Sequence, residues 1–304
     1  GDRLEQQRPM TSGSKTKQAK QATAATTDRY AVVGNPIAHS LSPEIHAHFA
    51  RQTKQALSYE KLLAPIDGFE EFALGLRDAG YRGLNVTVPF KIDAAKLADD
   101  LSARARLAGA VNTLKFDGDS IFGDNTDGIG FVRDVSGRLK LRIEDSAILI
   151  LGAGGGVRGL IGSLVEARPK WIAVANRSHE RAQELAEEFG VEAIHFDEVP
   201  AEHFDLVING TSSSLSNAAP KIDPETFDDC TLAYDLVYDP HPTPFMQLAR
   251  QGGATKVCDG LGMLVEQAAE SFYVWRGVRP HTAAVYQELR RRLDAAPSVH
   301  APAR

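Results

Sequence analysis

Four segments of this sequence combine many uncharged hydrogen-bonding residues with a few charged ones; they cover residues 40–42, 85–91, 110–113 and 123–128. Each lies at a predicted strand end or in a turn, where side chains at the carboxyl edge of a sheet converge on a cleft. Lys91 and Asp127 offer a proton carrier and a group that orients it, as the oxidation of a secondary alcohol requires. The four segments therefore predict a polar cleft, in which a Lys–Asp pair could exchange a proton with an alcohol.

Each of these residues also has an ordinary structural interpretation. Ser42, which precedes a proline, is typical of a helix N-cap, and Asn85 and Thr87 alternate with apolar neighbours as in a half-buried strand. Lys91 could begin a helix, and Asn112 could be a turn residue. Taken one at a time, these residues do not require a functional interpretation.

A glycine-rich turn forms a second candidate site. The apolar run 147–151 leads into the turn, and a helical stretch follows, which is the opening of a Rossmann fold. Two glycines of the dinucleotide fingerprint are present, whereas the third position is Val157. Such a turn lets backbone N–H groups approach a pyrophosphate at the positive end of the helix. We therefore predict cofactor contacts from Gly152, Ala153, Gly154, Gly155 and Gly156.

The end of the next predicted strand distinguishes between cofactors. An NAD enzyme usually places an acidic residue about 20 residues after the glycines, on the ribose 2′-hydroxyl. Here Asn176 and Arg177 occupy that position. Arg177 and Arg181 would lie on one helix face, where two guanidinium groups can clasp a 2′-phosphate, although a solvated arginine pair is the alternative. NADP is therefore the predicted cofactor.

The elements that position these residues alternate between strand and helix. A first series of strands is predicted over residues 30–34, 57–63 and 84–88, with a hairpin over 113–124. A second series follows at 146–151, 171–175, 205–208 and 232–236, with helices between, which indicates a parallel sheet. We predict an α/β protein of two domains: a substrate domain over 29–127 plus 260–304, and a Rossmann-type dinucleotide-binding domain over 128–259. Residues 1–28 are predicted to be a disordered tail.

Bulk properties limit the partners. The 304 residues carry a net charge of -6, which weighs against nucleic acid or anionic lipid as the main partner. The two cysteines lie outside any metal-ligand motif. Three histidines lie close together in the sequence, His39, His46 and His48, but they lack carboxylate partners at ligand spacing, so no metal is predicted. No apolar run approaches the roughly 18 residues of a membrane helix. We predict a soluble, cytoplasmic monomer or homodimer with a small-molecule substrate.

The same segments resemble the signatures of the shikimate dehydrogenase family. The matching motifs are GNPIAHSLSP (34–43), NVTVPFK (85–91), GAVNT (109–113) and GDNTDG (123–128). Two later motifs, NGTSS (209–213) and DGLGMLVEQ (259–267), extend the resemblance to about residues 30–290. The resemblance implies an NADP-dependent enzyme that reversibly reduces 3-dehydroshikimate to shikimate, on the route to chorismate and the aromatic amino acids.

The resemblance also assigns roles to individual residues. Lys91 and Asp127 would form the catalytic pair. The implied substrate-binding residues are Ser40, Ser42, Asn85, Thr87, Lys91, Asn112, Asp127, Tyr238 and Gln267, with the two serines and the tyrosine at the carboxylate. Beyond the glycine turn, the implied cofactor contacts are Asn176, Arg177, Ser178, Arg181, Thr211, Ser212, Leu236 and Gly260.

Two departures from the family pattern lie on the cofactor side. The glycine turn ends in Gly156 and Val157 where the family more often has Ala and Ser, and Ser214 stands where Gly is usual. Three alternatives remain open: a quinate or dual quinate/shikimate dehydrogenase, a non-catalytic ligand sensor on the same fold, and a folate-type dehydrogenase. Ser40, Ser42 and Arg177 favour shikimate and NADP over the first, and the Lys–Asp pair argues against the second. The scarcity of aromatic residues for stacking a flat ring argues against the third.

Overall fold

The computed structural model describes residues 26–297. The predicted N-terminal tail lies outside this range except for its last residues, and Asp28 already begins a strand. The elements of the N-terminal part are β1 (Asp28–Gly34), α1 (Ser42–Thr53), β2 (Leu57–Leu63), α2 (Phe69–Asp78), β3 (Gly83–Val86), α3 (Lys91–Leu97), β4 (Asp100–Leu101), α4 (Ala103–Ala108), β5 (Thr113–Asp117), β6 (Ser120–Asp124) and α5 (Asp127–Arg133).

The first sheet contains six strands in the order β2-β1-β3-β5-β6-β4. Strand β1 runs parallel to β2 and β3, whereas β5 is antiparallel to both β3 and β6. The hairpin predicted over 113–124 is confirmed, with Asp117 paired to Ser120 at its turn. Because β1 and β3 are parallel, the loops that follow them leave the sheet at the same edge.

The second sheet contains six parallel strands in the order β12-β11-β10-β7-β8-β9. Its elements are β7 (Ala147–Leu151), α6 (Gly155–Glu166), β8 (Trp171–Asn176), α7 (His179–Phe189), β9 (Glu192–His195), β10 (Leu206–Asn209), β11 (Leu232–Asp235), α8 (Pro244–Gly252) and β12 (Lys256–Cys258). This order is that of a Rossmann fold, so the predicted α/β class is confirmed. Short π- and 3-10-helical turns lie at Asp134–Arg138, Ser213–Ser216 and Pro224–Phe227.

Of the last two helices, α9 (Leu261–Arg276) packs against the first sheet, and α10 (Ala283–Asp294) packs against α9. Ile45 and Phe49 of α1 share a buried cluster with Val265 and Phe272 of α9. Separate apolar clusters cover the two faces of the second sheet. Among residues 26–297, no helix combines the length and apolar character needed to cross a membrane.

Helix α5 lies between α6 and α9, and two glycines make this close packing possible. A Cβ atom on Gly130 would lie 2.6 Å from the backbone nitrogen of Gln267, and one on Gly128 would lie 2.8 Å from the carbonyl oxygen of Gly159. Any side chain at these positions would push α5 away from its neighbours. The glycines therefore set the position of Asp127, the first residue of the helix.

Candidate active site

A cavity of about 360 Å³ opens where the loops after β1 and β3 meet the start of α9. All nine residues expected to bind the substrate line it: Ser40, Ser42, Asn85, Thr87, Lys91, Asn112, Asp127, Tyr238 and Gln267. They come from segments up to 227 residues apart in the sequence, between Ser40 and Gln267. The fold therefore brings together the polar groups that were identified separately in the sequence.

The charged pair at the centre of the cavity is Lys91 and Asp127. Lys91 Nζ donates a hydrogen bond to Asp127 Oδ2 at 2.8 Å. The side chains are 30% and 14% exposed, so the pair is shielded but still reachable from the cavity. Lys91 is the first residue of α3, so the alternative prediction that it begins a helix is also confirmed. Asp127 is the first residue of α5. Both side chains project from helix ends rather than from helix faces.

Asp127 is oriented by its neighbours. Its backbone N–H donates to Asn125 Oδ1 at 3.0 Å, which holds the turn before α5. Asn112 Nδ2 lies 3.1 Å from Asp127 Oδ1, so one carboxylate oxygen is held by an amide and the other by the lysine. A carboxylate bound at both oxygens has little freedom to rotate.

Asn112 is almost fully engaged by the protein. Its Nδ2 is also within 2.8 Å of Thr126 Oγ1 and 3.2 Å of Gln267 Oε1, while its Oδ1 accepts from Thr126 N and Thr113 Oγ1. Gln267 Nε2 donates to the carbonyl oxygen of Leu264 at 2.8 Å. The partners required by the Gln267 amide on an otherwise apolar helix face are thus present.

The interpretation of Ser42 as an N-cap is wrong. Helix α1 begins at Ser42 itself, the cap position is Leu41, and no side chain caps the helix. The backbone N–H of Ser42 instead donates to Ser40 Oγ at 3.2 Å. A proline at the second helical position removes one free N–H of the first turn, which lowers the need for a cap. The Ser42 hydroxyl therefore remains available to the cavity that it lines.

Several cavity residues were not identified from the sequence. Ile37, Ala38 and Met263 all line the cavity. Met263 lies at helical spacing among apolar residues, which is also the pattern of a core residue, so the sequence carries no signal to separate the two. Ile37 and Ala38 lie inside the 34–43 motif, which could have pointed to them.

The three clustered histidines do not form a metal site. His46 is fully buried in an aromatic cluster, and within residues 26–297 no three His, Cys, Asp or Glu side chains are arranged to hold a metal ion. Burial lowers the pKa of His46 to about 3, so its ring stays neutral.

A buried ion cluster supports the cavity from the side of α9. Glu270, one turn after Gln267, is 6% exposed and pairs with Arg104 of α4, Arg133 of α5 and Arg279. Arg104 also binds both carboxylate oxygens of Asp124 at 2.7 and 2.8 Å. The arginines hold the pKa of Glu270 at about 2, although burial acts in the opposite direction. This cluster ties together the helices that carry Asp127 and Gln267.

The glycine turn lies at the carboxyl edge of the second sheet. Gly152 has φ of +104°, and a Cβ there would lie 2.8 Å from the backbone of Gly210, so the position requires glycine. The turn ends at Gly154, and α6 begins at Gly155. A Cβ on Gly154, Gly155 or Gly156 would meet nothing within 4 Å, so this surface is open. An open glycine surface at the start of a twelve-residue helix fits a pyrophosphate.

The two departures on the cofactor side have structural explanations. Val157 is fully buried, and its Cγ2 atom fills the space beside Gly210, so it packs α6 onto the sheet as the third fingerprint glycine does elsewhere. Ser214 Oγ donates at 2.6 Å to Asp235, a buried carboxylate that also accepts from Thr243. The hydroxyl of Ser214 thus helps to satisfy a charge in the core.

The other expected cofactor contacts lie at the same edge. Asn176 ends β8, and its Nδ2 donates to the carbonyl oxygen of Ser178 at 2.9 Å. Arg177 and Arg181 are exposed, and neither takes part in an ion pair with another described residue. Two unpaired cations beside an open glycine turn fit a 2′-phosphate. Thr211 and Ser212 follow β10, whereas Leu236 and Gly260 line the substrate cavity and so mark the place where the two regions meet.

Three family models match the chain. Their descriptions are Shikimate dehydrogenase substrate binding domain, for residues 32–114, Shikimate / quinate 5-dehydrogenase, for 135–221, and Shikimate 5'-dehydrogenase C-terminal domain, for 260–290.

The chain is similar to curated proteins in sequence and to solved proteins in structure. The curated Shikimate dehydrogenase (NADP(+)) of Aromatoleum aromaticum is 54% identical over 276 residues, which cover 88% of this chain and 99% of that protein. The crystal structure of an Ael1 enzyme from Pseudomonas putida is 42% identical with a TM-score of 0.84, over 86% of this chain and 98% of that one. Shikimate 5-dehydrogenase from Thermus thermophilus, in complex with NADP(H) and shikimate, is 36% identical with a TM-score of 0.80, over 88% of this chain and 100% of that one.

Proposed function

This chain belongs to the shikimate dehydrogenase family, and from that premise we propose which of its residues carry the reaction. It is an NADP-dependent oxidoreductase that interconverts 3-dehydroshikimate and shikimate, in the biosynthesis of aromatic amino acids. The observation that most directly supports the residue assignment is the 2.8 Å contact between Lys91 Nζ and Asp127 Oδ2, inside a cavity lined by all the expected substrate residues.

The substrate carboxylate is held at the α1 end of the cavity. Ser40 and Ser42 offer hydroxyl groups there, and the absence of a capping role for the Ser42 side chain supports this assignment. Tyr238 lines the same cavity, and burial raises the pKa of its phenol, so the group remains a neutral hydrogen-bond donor. Neutral donors can bind a carboxylate without placing a second positive charge near Lys91.

The ring hydroxyls are held by the remaining polar residues of the cavity. These are Asn85 on β3, Thr87 after it, Asn112 before β5, Asp127, and Gln267 on α9. Because the Asn112 and Gln267 amides are already fixed by protein partners, they are preorganised for a ligand.

Lys91 moves the proton of the reaction. When bound, NADPH supplies the hydride that adds to the carbonyl carbon. The Lys91 ammonium donates a proton to the carbonyl oxygen as negative charge develops there, and Asp127 orients that ammonium. In the oxidative direction the neutral amine accepts the hydroxyl proton. The hydrogen bond from Asn112 keeps Asp127 Oδ2 directed at the lysine throughout.

The cofactor lies along the carboxyl edge of the second sheet. The backbone of residues 152–156 and the start of α6 hold the pyrophosphate, and Arg177 and Arg181, with Asn176 and Ser178, hold the 2′-phosphate. Thr211, Ser212, Leu236 and Gly260 continue the site toward the substrate cavity.

We also propose the domain division and the setting of the enzyme. Residues 29–127 with 260–304 form the substrate domain and residues 128–259 the NADP domain, in keeping with the two sheets and the packing of α9 against α1. The enzyme acts in the cytoplasm as a monomer or homodimer.

A spectrophotometric assay tests the substrate and the cofactor together. Initial rates of nicotinamide reduction are measured with shikimate and with quinate, each with NADP and with NAD. We expect the highest kcat/KM with shikimate and NADP. Comparable values with quinate and NAD would instead identify a quinate/shikimate dehydrogenase.

A further inference from the structure

Tyr59 on β2 reaches across β1 to contact a cavity residue on β3. Its hydroxyl donates a hydrogen bond to Asn85 Oδ1 at 2.8 Å. Tyr59 does not belong to the residues that line the cavity, whereas Asn85 does. Tyr59 can therefore affect a bound substrate through Asn85.

The surrounding hydrogen bonds fix which end of the Asn85 amide faces Tyr59. Asn85 Nδ2 lies 3.1 Å from the carbonyl oxygen of Asn112, which can only accept, so the NH2 end must point there. The same nitrogen is within 3.3 Å of Thr113 Oγ1 and 3.1 Å of Ser271 Oγ. Both amide protons are thus used inside the protein, and the only free capacity of this side chain is a lone pair on Oδ1.

The phenol of Tyr59 is itself held in place by stacking. Its ring lies parallel to the His46 imidazole, with 4.1 Å between centroids and 6° between planes. His46 is fully buried, and neither of its ring nitrogens has a hydrogen-bond partner among the described residues. His46 therefore serves as a flat, neutral surface against which the tyrosine packs.

We propose that Tyr59 is a positioning residue for substrate recognition: it fixes the Asn85 amide with its acceptor oxygen toward the cavity, so that Asn85 selects a ring hydroxyl that donates a hydrogen bond. Without the phenol, Asn85 Oδ1 loses the donor that holds it, and the Asn112 carbonyl still holds the NH2 end, so the position of the acceptor oxygen is no longer fixed. The inference rests on the substrate role proposed above for Asn85.

A double-mutant cycle tests this inference. Tyr59→Phe, Asn85→Ala and the double variant are compared by calorimetric titration with shikimate and with NADPH, and by steady-state kinetics. We expect Tyr59→Phe to weaken shikimate binding and raise its KM about tenfold, with kcat at saturation and the Kd for NADPH within about twofold of wild type. The double variant should bind shikimate no more weakly than Asn85→Ala alone, because the tyrosine acts through the amide.

Tyr81→Phe is the matched control. Tyr81 is 5% exposed, its hydroxyl bonds with Arg29 and Glu60, and it lies outside the cavity lining. The same loss of one phenolic oxygen should leave the Kd for shikimate unchanged.

The two proposals fail in different ways. If Asn85→Ala leaves the affinity for shikimate unchanged, the proposed substrate role of Asn85 is wrong. If Asn85→Ala weakens binding but Tyr59→Phe does not, or if the two losses add in the double variant, only the positioning role of Tyr59 is overturned.

Discussion

The substrate cavity and the cofactor edge of the second sheet are built in opposite ways. In the cavity, Asn112 uses both ends of its amide on protein partners, and Asp127 is held at both carboxylate oxygens. At the cofactor edge, residues 154–156 present open backbone, and Arg177 and Arg181 are exposed without an ion-pair partner among the described residues. The polar groups proposed to bind the substrate are thus held by protein partners, whereas the groups proposed to bind the cofactor are left exposed.

The largest effect should come from removing the proposed proton carrier of the cavity. Lys91→Ala should lower kcat about 10³-fold, because a positioned general acid contributes roughly 10²- to 10⁴-fold. The Kd for NADPH, measured by fluorescence titration, should stay unchanged because Lys91 lies in the substrate cavity and not at the cofactor edge.

Lys96→Ala is the control, since Lys96 is an exposed residue of the same helix. Near-normal turnover by the Lys91 variant would show that another group moves the proton.

The next effect concerns the support of the cavity. Glu270→Gln removes a buried charge that faces three arginines, and the free energy of unfolding at pH 7 should fall by about 3 kcal/mol. Because the native pKa of Glu270 is about 2, below its ordinary value, the stabilisation is fully present above about pH 4.5. It should be lost as the pH falls from there through 2.

Urea unfolding at pH 7, 5.5 and 3.5 measures this dependence. The difference between wild type and variant should be equal at the two higher pH values and smaller at the lowest. Glu71→Gln, at an exposed position of α2, should show no difference at any pH. If the difference in the free energy of unfolding instead increased at pH 3.5, the lowered pKa of Glu270 would be wrong.

A smaller effect is expected at the cofactor edge. Arg177→Ala and Arg181→Ala should each raise the KM for NADP about tenfold, because each removes one solvent-exposed, charge-assisted hydrogen bond to the 2′-phosphate. The KM for NAD should hardly change, because NAD has no 2′-phosphate. Arg250→Ala, an exposed arginine on α8, provides the control. An equal rise of KM for NAD and for NADP would show that these arginines contact a part of the cofactor other than the 2′-phosphate.

The smallest effect should follow from Ser214→Ala. This change removes one hydrogen bond to the buried Asp235 and should lower the free energy of unfolding by about 1 kcal/mol. The kcat should remain within twofold of wild type, because Ser214 acts in the core of the second sheet. A large loss of kcat with unchanged stability would show that Ser214 contacts the cofactor directly.

The sequence predicted those features that depend on local pattern. Alternating strands and helices indicated two α/β units, and short motifs at strand ends identified residues that the fold gathers into one cavity. Helices α3, α4 and α5 were not predicted as elements, apart from the alternative that Lys91 begins one, because six or seven residues are too few to show a helical period. The edge strand β9 was not predicted either. It is only partly buried and therefore lacks the continuous apolar run of the central strands.

Contacts between distant segments could not be predicted. Glu270 meets Arg104 across 166 positions, and Asn85 meets Ser271 across 186. Nothing in the residues around either partner encodes such a pairing, since it arises only when α9 packs against the first sheet. Ser42 shows the same limit locally, because its N-cap pattern was wrong: Leu41 takes the cap position, and Ser42 lines the cavity.

The close packing of α5 has a consequence for how this sequence can vary. Gly128 and Gly130 carry no functional group, yet even a methyl group at Gly130 would overlap the backbone of α9. In a library that samples every amino acid at every position, these two glycines should tolerate replacement as poorly as Lys91, the proposed proton carrier. Intolerance to substitution in this enzyme therefore marks the places where helices touch as well as the places where chemistry occurs.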